Sequence, residues 1–488
     1  MLEHLKRLIQ QSLIYGLGTA TYQALSLLIL PLFTSFLTPA DYGVNSVLGL
    51  VSAFIIGFLS LGMGTAIGLV YHAHEDPDYR KQVIFNAQML LFPGIFCLLL
   101  IAWVGSAHIS QWIFSTPEHQ DLVCLMLLTS ALTIATVPLA LKLQYENKSL
   151  TTVAIYTSVN FINLSLSTFF VAVLHWGNFG RFLGNAIGTL CMVLLLWNYA
   201  GVRLFQNFSV VRELVKLGMI SLPGFLFYFL MQQGNIYILK VYASLEEIGI
   251  YSIGTTFGTA LSLVINAFIT AWTPFVWSFK EKPDEAKIVF GKIMSYYLLS
   301  VGTISIALYL FAKPIIVIFT QPNFYPAYRL IGLSSTVQLF TGILLILSVE
   351  SYIAKEISYS IIFQGITVII FISLSVLITP YLKGVGALTA QIFGQVFMCF
   401  LLIKWNNKKS KNYINIQYEL GFLIKFSLFY TTIIILTIFD SEKLNLQSIL
   451  LNNILFIIYI IYIWKILLGK KEKFFIISYS KKLLMLKK

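Results

Sequence analysis

The sequence predicts an all-α polytopic membrane protein with about fourteen transmembrane helices, arranged as two six-helix lobes followed by two extra C-terminal helices. Three observations support this fold class. Apolar runs long enough to cross a hydrocarbon core of roughly 30 Å alternate with short polar hinges. Basic residues concentrate on every second hinge, as expected for a membrane protein with a fixed orientation. Glycines recur at one constant spacing, which relates the first half of the chain to the second.

Each predicted span ends at a short polar hinge. The spans cover residues 13–36, 44–70, 83–104, 121–141, 151–174, 182–201, 218–239, 249–275, 294–312, 330–350, 360–380, 385–403, 421–439 and 449–468. The composition agrees, because hydrophobic residues make up 58% and charged residues only 11% of the chain. A soluble globular protein carries about 25% charged residues, so the soluble class is excluded.

The distribution of Lys and Arg predicts the orientation. With the N-terminus inside, 26 of the 33 Lys and Arg residues fall on the inner side and 6 on the outer side, so both termini are expected in the cytoplasm. The net charge of +13 then reflects basic loops and a basic tail beside anionic lipid head groups, and it does not indicate nucleic-acid binding. All four cysteines lie inside predicted spans, so no disulfide framework is expected.

An internal repeat organises the chain. A shift of 206 positions superimposes Gly18 on Gly224, Gly43 on Gly249, Gly180 on Gly386 and Gly188 on Gly394. The surroundings match in kind: LTPADYGVNS at 37–46 aligns with ASLEEIGIYS at 243–252, each with an acidic residue two positions before the glycine. The predicted parts are a first lobe at 1–201, a cytoplasmic loop at 202–217, a second lobe at 218–403, and helices 13 and 14 with a basic tail at 404–488.

Two lobes with a cleft between them are typical of a transporter. Because each lobe has an even number of helices, both lobes enter the membrane from the same side and are related by an axis along the membrane normal. Rocking one lobe against the other alternates access to a site near the middle of the membrane.

The repeated segments resemble a known family. Residues 13–51, LIYGLGTATYQALSLLILPLFTSFLTPADYGVNSVLGLV, and the second-lobe stretch at 220–275 are similar to bacterial polysaccharide transporters. These belong to the multidrug/oligosaccharidyl-lipid/polysaccharide (MOP) exporter superfamily, and the closest resemblance is to the Wzx-type flippases of O-antigen and capsule repeat units. The order of spans and the loop lengths extend the resemblance over the whole chain.

The resemblance implies a function. Such proteins move an undecaprenyl-pyrophosphate-linked oligosaccharide from the cytoplasmic to the periplasmic leaflet of the bacterial inner membrane, with sugars and pyrophosphate passing through a central cavity. The expected partners are therefore the lipid-linked oligosaccharide and the bilayer, with the polysaccharide polymerase and chain-length proteins as further candidates. Two alternatives within the superfamily stay open, a multidrug exporter and a lipid II flippase. A membrane glycosyltransferase or polymerase is the alternative from another class.

No enzyme motif stands out in the chain. There is no Walker motif, so nucleotide hydrolysis is not expected. The HAHE run at 72–75 lies in a short inner loop and is not expected to bind a metal. Acidic residues are nearly absent from the predicted spans, although Glu350 lies near the inner end of helix 10. We therefore expect no catalytic residue, metal or cofactor.

Uncharged polar side chains inside the spans define the predicted substrate site. Amides that face lipid are costly, so most should face a neighbouring helix or the cavity, where they suit sugar hydroxyls. Gln232 and Asn235 are three residues apart on helix 7 and share a face. A cation at the outer end, Lys240 or Arg181, is expected to attract the pyrophosphate. The predicted site residues are Tyr22, Gln23, Asn45, Arg181, Gln232, Gln233, Asn235, Tyr237 and Lys240.

Overall fold

The computed structural model describes most of the predicted membrane-spanning sequence. The described residues are 18, 20–21, 23–146, 148–200, 208–279, 282–353, 357–408, 416–438, 446–467 and 473. Over these ranges the chain forms helices and short connections and contains no β-strand. The predicted all-α fold class is confirmed.

The described residues form seventeen α-helices, numbered here in chain order. They are α1 (Gln23–Phe36), α2 (Pro39–Leu59), α3 (Met63–Ala73), α4 (Pro77–Val104), α5 (Ser106–Phe114), α6 (Gln120–Tyr145), α7 (Ser149–Thr168), α8 (Gly177–Ala200), α9 (Phe208–Tyr242), α10 (Leu245–Thr259), α11 (Ser262–Ser278), α12 (Pro283–Leu310), α13 (Ala312–Phe319), α14 (Tyr328–Ile353), α15 (Ile357–Lys408), α16 (Leu420–Ile438) and α17 (Leu446–Tyr462). Single π-helical turns follow α7 and α17, and a short 3₁₀ helix precedes α14.

The number of membrane spans in the structure is consistent with a polytopic protein but does not reach fourteen. By length and composition, ten helices of the described chain could cross a membrane, or up to twelve if each of two bent helix pairs is one span. The helix α1 is a shorter apolar helix. The count of fourteen therefore remains a prediction.

Two helical stretches are broken where the backbone leaves helical geometry. The helices α2 and α3 meet at Leu61 and Gly62, which have φ angles of 48° and 64°. Within α15, Lys383 has φ 49° and ψ −130°, so α15 consists of two helices that meet at a kink. This kink falls in the predicted gap between the spans at 360–380 and 385–403, and it confirms the position of that hinge.

The chain divides into two compact units. The first comprises Met1–Ile253, Phe319–Phe324 and Ile361–Gly394, and the second comprises Gly254–Ile318, Tyr325–Ser360 and Gln395–Lys488. In the first unit, α2, α3, α4, α6 and α9 pack around a buried apolar core. Its fully buried members include Leu48, Met63, Ile67, Ile84, Leu127 and Leu214. The division into two repeat-related lobes stays a prediction.

Buried hydroxyl groups join the helices of the second unit. The Tyr430 hydroxyl on α16 lies 2.6 Å from Ser305 Oγ on α12 and 2.8 Å from Thr336 Oγ1 on α14. Near the other C-terminal helix, Asn452 Nδ2 on α17 donates to Leu310 O at 2.9 Å. Since unpaired polar groups are costly inside a membrane protein, these bonds fix α16 and α17 against α12.

The Tyr430 network makes a testable contribution to stability. We expect Tyr430→Phe to lower the free energy of unfolding by about 1–2 kcal/mol, because it removes two buried hydrogen bonds, to Ser305 Oγ and Thr336 Oγ1. Thermal unfolding of the purified protein in detergent measures the effect. Tyr381→Phe is the matched control, since Tyr381 is 85% exposed. Equal midpoints for the two variants would contradict the role given to the network.

Candidate functional site at the N-termini of helices α2 and α10

The helices α2 and α10 begin with the same local structure. Thr38 caps α2, with its Oγ1 accepting from Asp41 N at 3.2 Å while Thr38 N donates to Asp41 Oδ2 at 2.9 Å. At the start of α10, Ser244 Oγ accepts from Glu247 N at 3.2 Å, and Ser244 N donates to Glu247 Oε2 at 3.0 Å. Both are capping boxes, which satisfy helix-terminal N–H groups. Their members are separated by the repeat offset of 206.

Two repeat-related glycines bring these helix ends into backbone contact. A Cβ atom on Gly43 would overlap the carbonyl oxygen of Leu245, and a Cβ atom on Gly249 would overlap the carbonyl oxygen of Pro39. Leu245 lies 206 positions after Pro39, so the two contacts are equivalent under the repeat. We call the segments 38–43 and 244–249 the α2–α10 junction. Only glycine allows the two backbones to approach this closely.

Polar side chains from two equivalent turns hold the junction. Asn178, at the start of α8, donates from Nδ2 to Asp41 O at 3.0 Å. Lys383, at the kink of α15, donates to Tyr242 O at 2.8 Å and lies 3.7 Å from Glu247 Oε2. The backbone of Lys383 has φ 49°, and its repeat counterpart Gly177 has φ 53°. In both halves, therefore, a residue with a positive φ angle lies beside a side chain that bonds the junction or its flank.

Arg181 lies beside the α2 side of the junction. Its guanidinium carbon is 5.0 Å from the ring centroid of Tyr42 and 5.5 Å from that of Phe33, so α1 and α2 both supply aromatic faces. The ring of Phe324 in turn contacts Tyr42 edge-on, with centroids 5.3 Å apart. Among the residues that the structure describes, no carboxylate lies within 4.0 Å of Arg181. A half-buried cation without an acidic partner is available to attract an anion.

The polar groups around Arg181 are largely unsatisfied. Tyr42 and Asn178 are 5% and 8% exposed, and Asn45 lies one helical turn after Tyr42 on the same face of α2. Within the described chain, five buried atoms of these residues lack a hydrogen-bond partner: Tyr42 Oη, Asn45 Oδ1 and Nδ2, Asn178 Oδ1 and Arg181 Nη1. We call Tyr42, Asn45, Asn178 and Arg181 the Arg181 cluster. Such orphaned donors and acceptors are rare in native structures and are consistent with a ligand site.

The predicted residues of helix 7 occupy different environments on α9. Asn235 is only 3% exposed and donates to Gln391 Oε1 on α15 at 2.6 Å, so it joins two helices. Gln232 is exposed, Tyr237 is 63% exposed, and Gln233 is half-buried. Lys240 is half-buried, and its Nζ lies 5.4 Å from the ring centroid of Phe114 on α5. Gln232 and Asn235, which were expected to share one face of the helix, therefore differ in burial, because Gln232 is exposed and Asn235 is buried.

The remaining predicted residues lie on or before α1. Gln23 has a buried Oε1 without a partner in the described region, and Tyr22 lies outside the described residues. The structure places Arg181 over the ring of Tyr42, one helical turn before Asn45, and Asn178 beside Asp41 O; sequence reasoning missed Tyr42 and Asn178. Asn178 lies two residues before Gly180, one of the glycines that the internal repeat aligns. The repeat therefore marked this part of the chain. No sequence signal marked Tyr42 as a partner of Arg181.

The His residues of the HAHE run make aromatic contacts. The His72 ring packs against Tyr145 with centroids 4.9 Å apart, and the His74 ring packs against Tyr79 at 4.4 Å. Over the described residues, no group of three His, Cys, Asp or Glu side chains could hold a metal ion.

Comparison with known proteins places this fold among membrane transporters and flippases. A family model described as "Polysaccharide biosynthesis protein" matches residues 32–319. No curated protein sequence matches the chain. The MurJ lipid II flippase in an inward closed conformation is similar over 92% of this chain and 99% of its own, with 14% identity and a TM-score of 0.69.

Two further solved structures share the fold. An inward-facing multidrug resistance MATE family transporter of the MOP superfamily matches 80% of this chain and 94% of its own, with 14% identity and a TM-score of 0.65. A MOP superfamily transporter from Pyrococcus furiosus matches 83% of this chain and 95% of its own, with 14% identity and a TM-score of 0.59. The predicted MOP-type fold is therefore confirmed.

The junction glycines can be tested against glycines of α2 and α9 that have open space around them. We expect Gly43→Ala and Gly249→Ala each to destabilise the protein by about 1–3 kcal/mol. The added methyl group would overlap backbone atoms, which cannot change rotamer as a side chain can. Gly49→Ala on α2 and Gly224→Ala on α9 are the controls, since nothing lies within 4 Å of a Cβ atom there. Thermal unfolding in detergent compares the four variants.

The double variant gives a second measurement of the same contact. Because both methyl groups force the same surfaces apart, Gly43→Ala combined with Gly249→Ala should cost less than the sum of the two single changes. If Gly43→Ala were as stable as Gly49→Ala, the close backbone contact would be wrong.

Proposed function

Since the chain belongs to the polysaccharide biosynthesis protein family, we propose that it is a flippase for undecaprenyl-pyrophosphate-linked oligosaccharide repeat units. It moves the repeat units of an O-antigen, capsule or exopolysaccharide from the cytoplasmic to the outer leaflet by alternating access. The family and the fold are those of transport proteins rather than enzymes. The lipid tail stays in the bilayer, so the protein must shelter only sugars and pyrophosphate.

The Arg181 cluster is the observation that carries the proposal. A pyrophosphate needs a cation and hydrogen-bond donors, and Arg181 offers an unpaired Nη1 together with the unpaired amide of Asn45. The N-terminus of α2 adds the positive end of a helix dipole nearby. The orphaned oxygens of Tyr42 and Asn178 can accept hydrogen bonds from sugar hydroxyls.

Three polar residues of α9 that are not buried extend the proposed site toward the sugars. Gln232, Gln233 and Tyr237 present amide and phenol groups that are not buried. These groups both donate and accept, as hydroxyl-rich ligands require. Asn235 has a helix-joining role through Gln391, and we assign it to positioning α9. Lys240 is the second cation of the proposed site, beside Phe114.

The α2–α10 junction is the proposed gate at the outer end. Both helix starts lie at the predicted outer side, where the oligosaccharide must leave. The two capped helix ends meet through backbone atoms and can separate as rigid elements, since their N–H groups are satisfied within each helix. In the proposed cycle the junction is closed while the substrate enters from inside and open when it leaves.

The proposed location is the bacterial cytoplasmic membrane with both termini in the cytoplasm. Many apolar helices and the transporter fold support a multi-pass membrane protein. The orientation rests on the distribution of Lys and Arg. A cysteine introduced at Ser115, the exposed residue after α5, is then labelled by an impermeant thiol reagent from outside.

Deletion of the gene separates the proposed function from its alternatives. We expect the deletion strain to accumulate complete lipid-linked repeat units on the inner leaflet and to lose surface glycan, because export precedes polymerisation. Chemical analysis of lipid-linked intermediates in each leaflet measures this. A polymerase mutant would instead export single units. Normal surface glycan with drug hypersensitivity would favour a multidrug exporter, and loss of peptidoglycan synthesis would favour a lipid II flippase.

Arg181 provides the sharpest test of the site. We expect Arg181→Gln to reduce surface glycan about tenfold or more, because a charge-assisted hydrogen bond contributes about 1.5–3 kcal/mol. Arg181→Lys keeps the charge and should retain part of the activity. Arg329→Gln is the control, since Arg329 is an exposed arginine on the same predicted side.

Expression must be equal in all variants for this comparison. Full export by Arg181→Gln at equal membrane abundance would remove the Arg181 cluster from the substrate path. Full export by the charge-reversal variant Lys240→Glu would likewise remove Lys240 from the site.

A further inference from the structure

A groove opens on the surface of the second compact unit. It lies between α12, the start of α16 and the π-helical turn after α17, and its volume is about 410 Å³. We call it the α12–α16 groove. The lining residues that matter for its chemistry are Ser295, Leu299, Glu419, Phe422, Lys425 and Ile466. The groove thus combines one acidic and one basic side chain with apolar walls.

The connector between α15 and α16 is bonded along α12, which fixes one wall of the groove. Gln417 N donates to Lys287 O at 3.0 Å, and a Cβ atom on Gly291 would overlap the carbonyl oxygen of Gln417. The buried Ser295 donates from Oγ to Glu419 Oε2 at 2.7 Å. Lys287, Gly291 and Ser295 are four residues apart and share one face of α12. Glu419 is therefore held in place, and its carboxylate can still accept further hydrogen bonds.

Lys425 supplies a cation to the same groove. The Tyr462 hydroxyl, at the end of α17, donates to Lys425 O at 3.0 Å, and the Tyr462 ring stacks on Phe429 with centroids 4.7 Å apart. These contacts fix the backbone of α16 against α17, while the side chain of Lys425 stays exposed. Lys425 lies six residues after Glu419, or about 9 Å along a helix axis. In the described part of the chain, neither Glu419 nor Lys425 takes part in an ion pair.

This pair of charges discriminates between classes of membrane lipid. A head group that carries both a phosphate and a primary ammonium can satisfy Lys425 and Glu419 at once. A head group with a phosphate alone, or with a pyrophosphate, meets Lys425 but brings negative charge toward Glu419, which is unfavourable. The apolar side chains of Leu299, Phe422 and Ile466 are suited to the first part of an acyl chain.

Residues beside the groove are typical of the head-group layer. Trp464, two residues before Ile466, is 40% exposed, and Lys465 is also exposed. Exposed tryptophans favour the boundary between hydrocarbon and water, and long lysine side chains reach the same layer. The α12–α16 groove therefore lies where phospholipid head groups are present.

We propose that the α12–α16 groove binds a zwitterionic glycerophospholipid whose head group carries a primary ammonium, as in phosphatidylethanolamine. The ammonium donates to the Glu419 carboxylate, and the phosphate accepts from Lys425. One acyl chain packs along Leu299, Phe422 and Ile466. The bound lipid joins α12, α16 and the turn after α17. This site is for a lipid of the surrounding bilayer, and it uses none of the residues of the proposed export site.

Lipid titration of the purified, delipidated protein in detergent tests the proposal. Native mass spectrometry measures the fraction of protein that carries short-chain phosphatidylethanolamine or phosphatidylglycerol. We expect the wild-type protein to bind phosphatidylethanolamine about fivefold more tightly, a difference typical of one favourable ion pair. Equal affinity for the two lipids would overturn the proposal. This comparison needs no substitution, so it holds even where a variant is unstable.

Two variants assign the preference to the groove. Glu419→Gln keeps an oxygen to accept from Ser295 but removes the charge, so it should abolish the preference for phosphatidylethanolamine. Lys425→Gln should weaken the binding of both lipids about fivefold, because each has a phosphate. The controls are Glu285→Gln and Lys404→Gln, which change exposed charges outside the groove and should bind both lipids as the wild-type protein does.

Three further results would contradict the proposal. They are an unchanged preference in Glu419→Gln, unchanged binding in Lys425→Gln, and an equal loss of binding in the control variants. Undecaprenyl pyrophosphate tests the other source of a lipid phosphate. If it displaced phosphatidylethanolamine from the wild-type protein at lower concentration than phosphatidylglycerol does, the groove would belong to the substrate and the proposal would be wrong. None of these measurements depends on flippase activity, so their failure is distinct from failure of the proposed function.

Discussion

The backbone contact between two helix N-termini is the constraint on which the proposed site depends. Gly43 meets the carbonyl of Leu245, and Gly249 meets the carbonyl of Pro39. Because both contacts are with backbone, no side chain can move to admit a larger residue. The capping residues Thr38 and Ser244 allow this approach by satisfying the first N–H groups inside each helix. The residues that the sequence repeat aligns thus also form a pair of corresponding backbone contacts in the structure.

This contact has an electrostatic consequence. Two helix N-termini that meet bring two positive dipole ends together, which is unfavourable unless acidic groups offset them. Asp41 and Glu247 lie in the first turns and supply that offset, and Lys383 approaches Glu247. Arg181 lies in the same region without a carboxylate among the described residues. Arg181 is the cation that suits an arriving pyrophosphate, and its contact with Tyr42 links the proposed site with the proposed gate.

Sequence patterns predicted the fold class, the hinge at Lys383 and the equivalence of Gly43 with Gly249. They did so because hydropathy and glycine placement are local properties of a helix and its ends. The pairing of Asn235 with Gln391 was not predictable, since it depends on which helices become neighbours. The internal repeat does not predict this pairing either. Gln391 aligns with Asn185, yet Asn185 accepts from Asn163 on α7 rather than from a residue equivalent to Asn235.

The candidate site was predictable only in part, and for a related reason. Arg181 and Asn45 stood out as polar residues within or beside apolar spans. Tyr42 looked like an ordinary hinge residue, and only the three-dimensional structure shows the Arg181 guanidinium above its ring. Unsatisfied atoms such as Asn178 Oδ1 are likewise defined by their surroundings rather than by residue type.

Cross-linking of the α2–α10 junction tests whether its two helix ends must separate during export. Ala40 and Glu246 are exposed residues of the two helix starts and are equivalent under the repeat. Ala40→Cys combined with Glu246→Cys, joined by a cleavable bis-maleimide in intact cells, would hold the two helix ends together. We expect surface glycan synthesis to stop on cross-linking and to resume when the linker is cleaved, while each single variant stays active. Continued export by fully cross-linked protein would show that the junction does not open during transport.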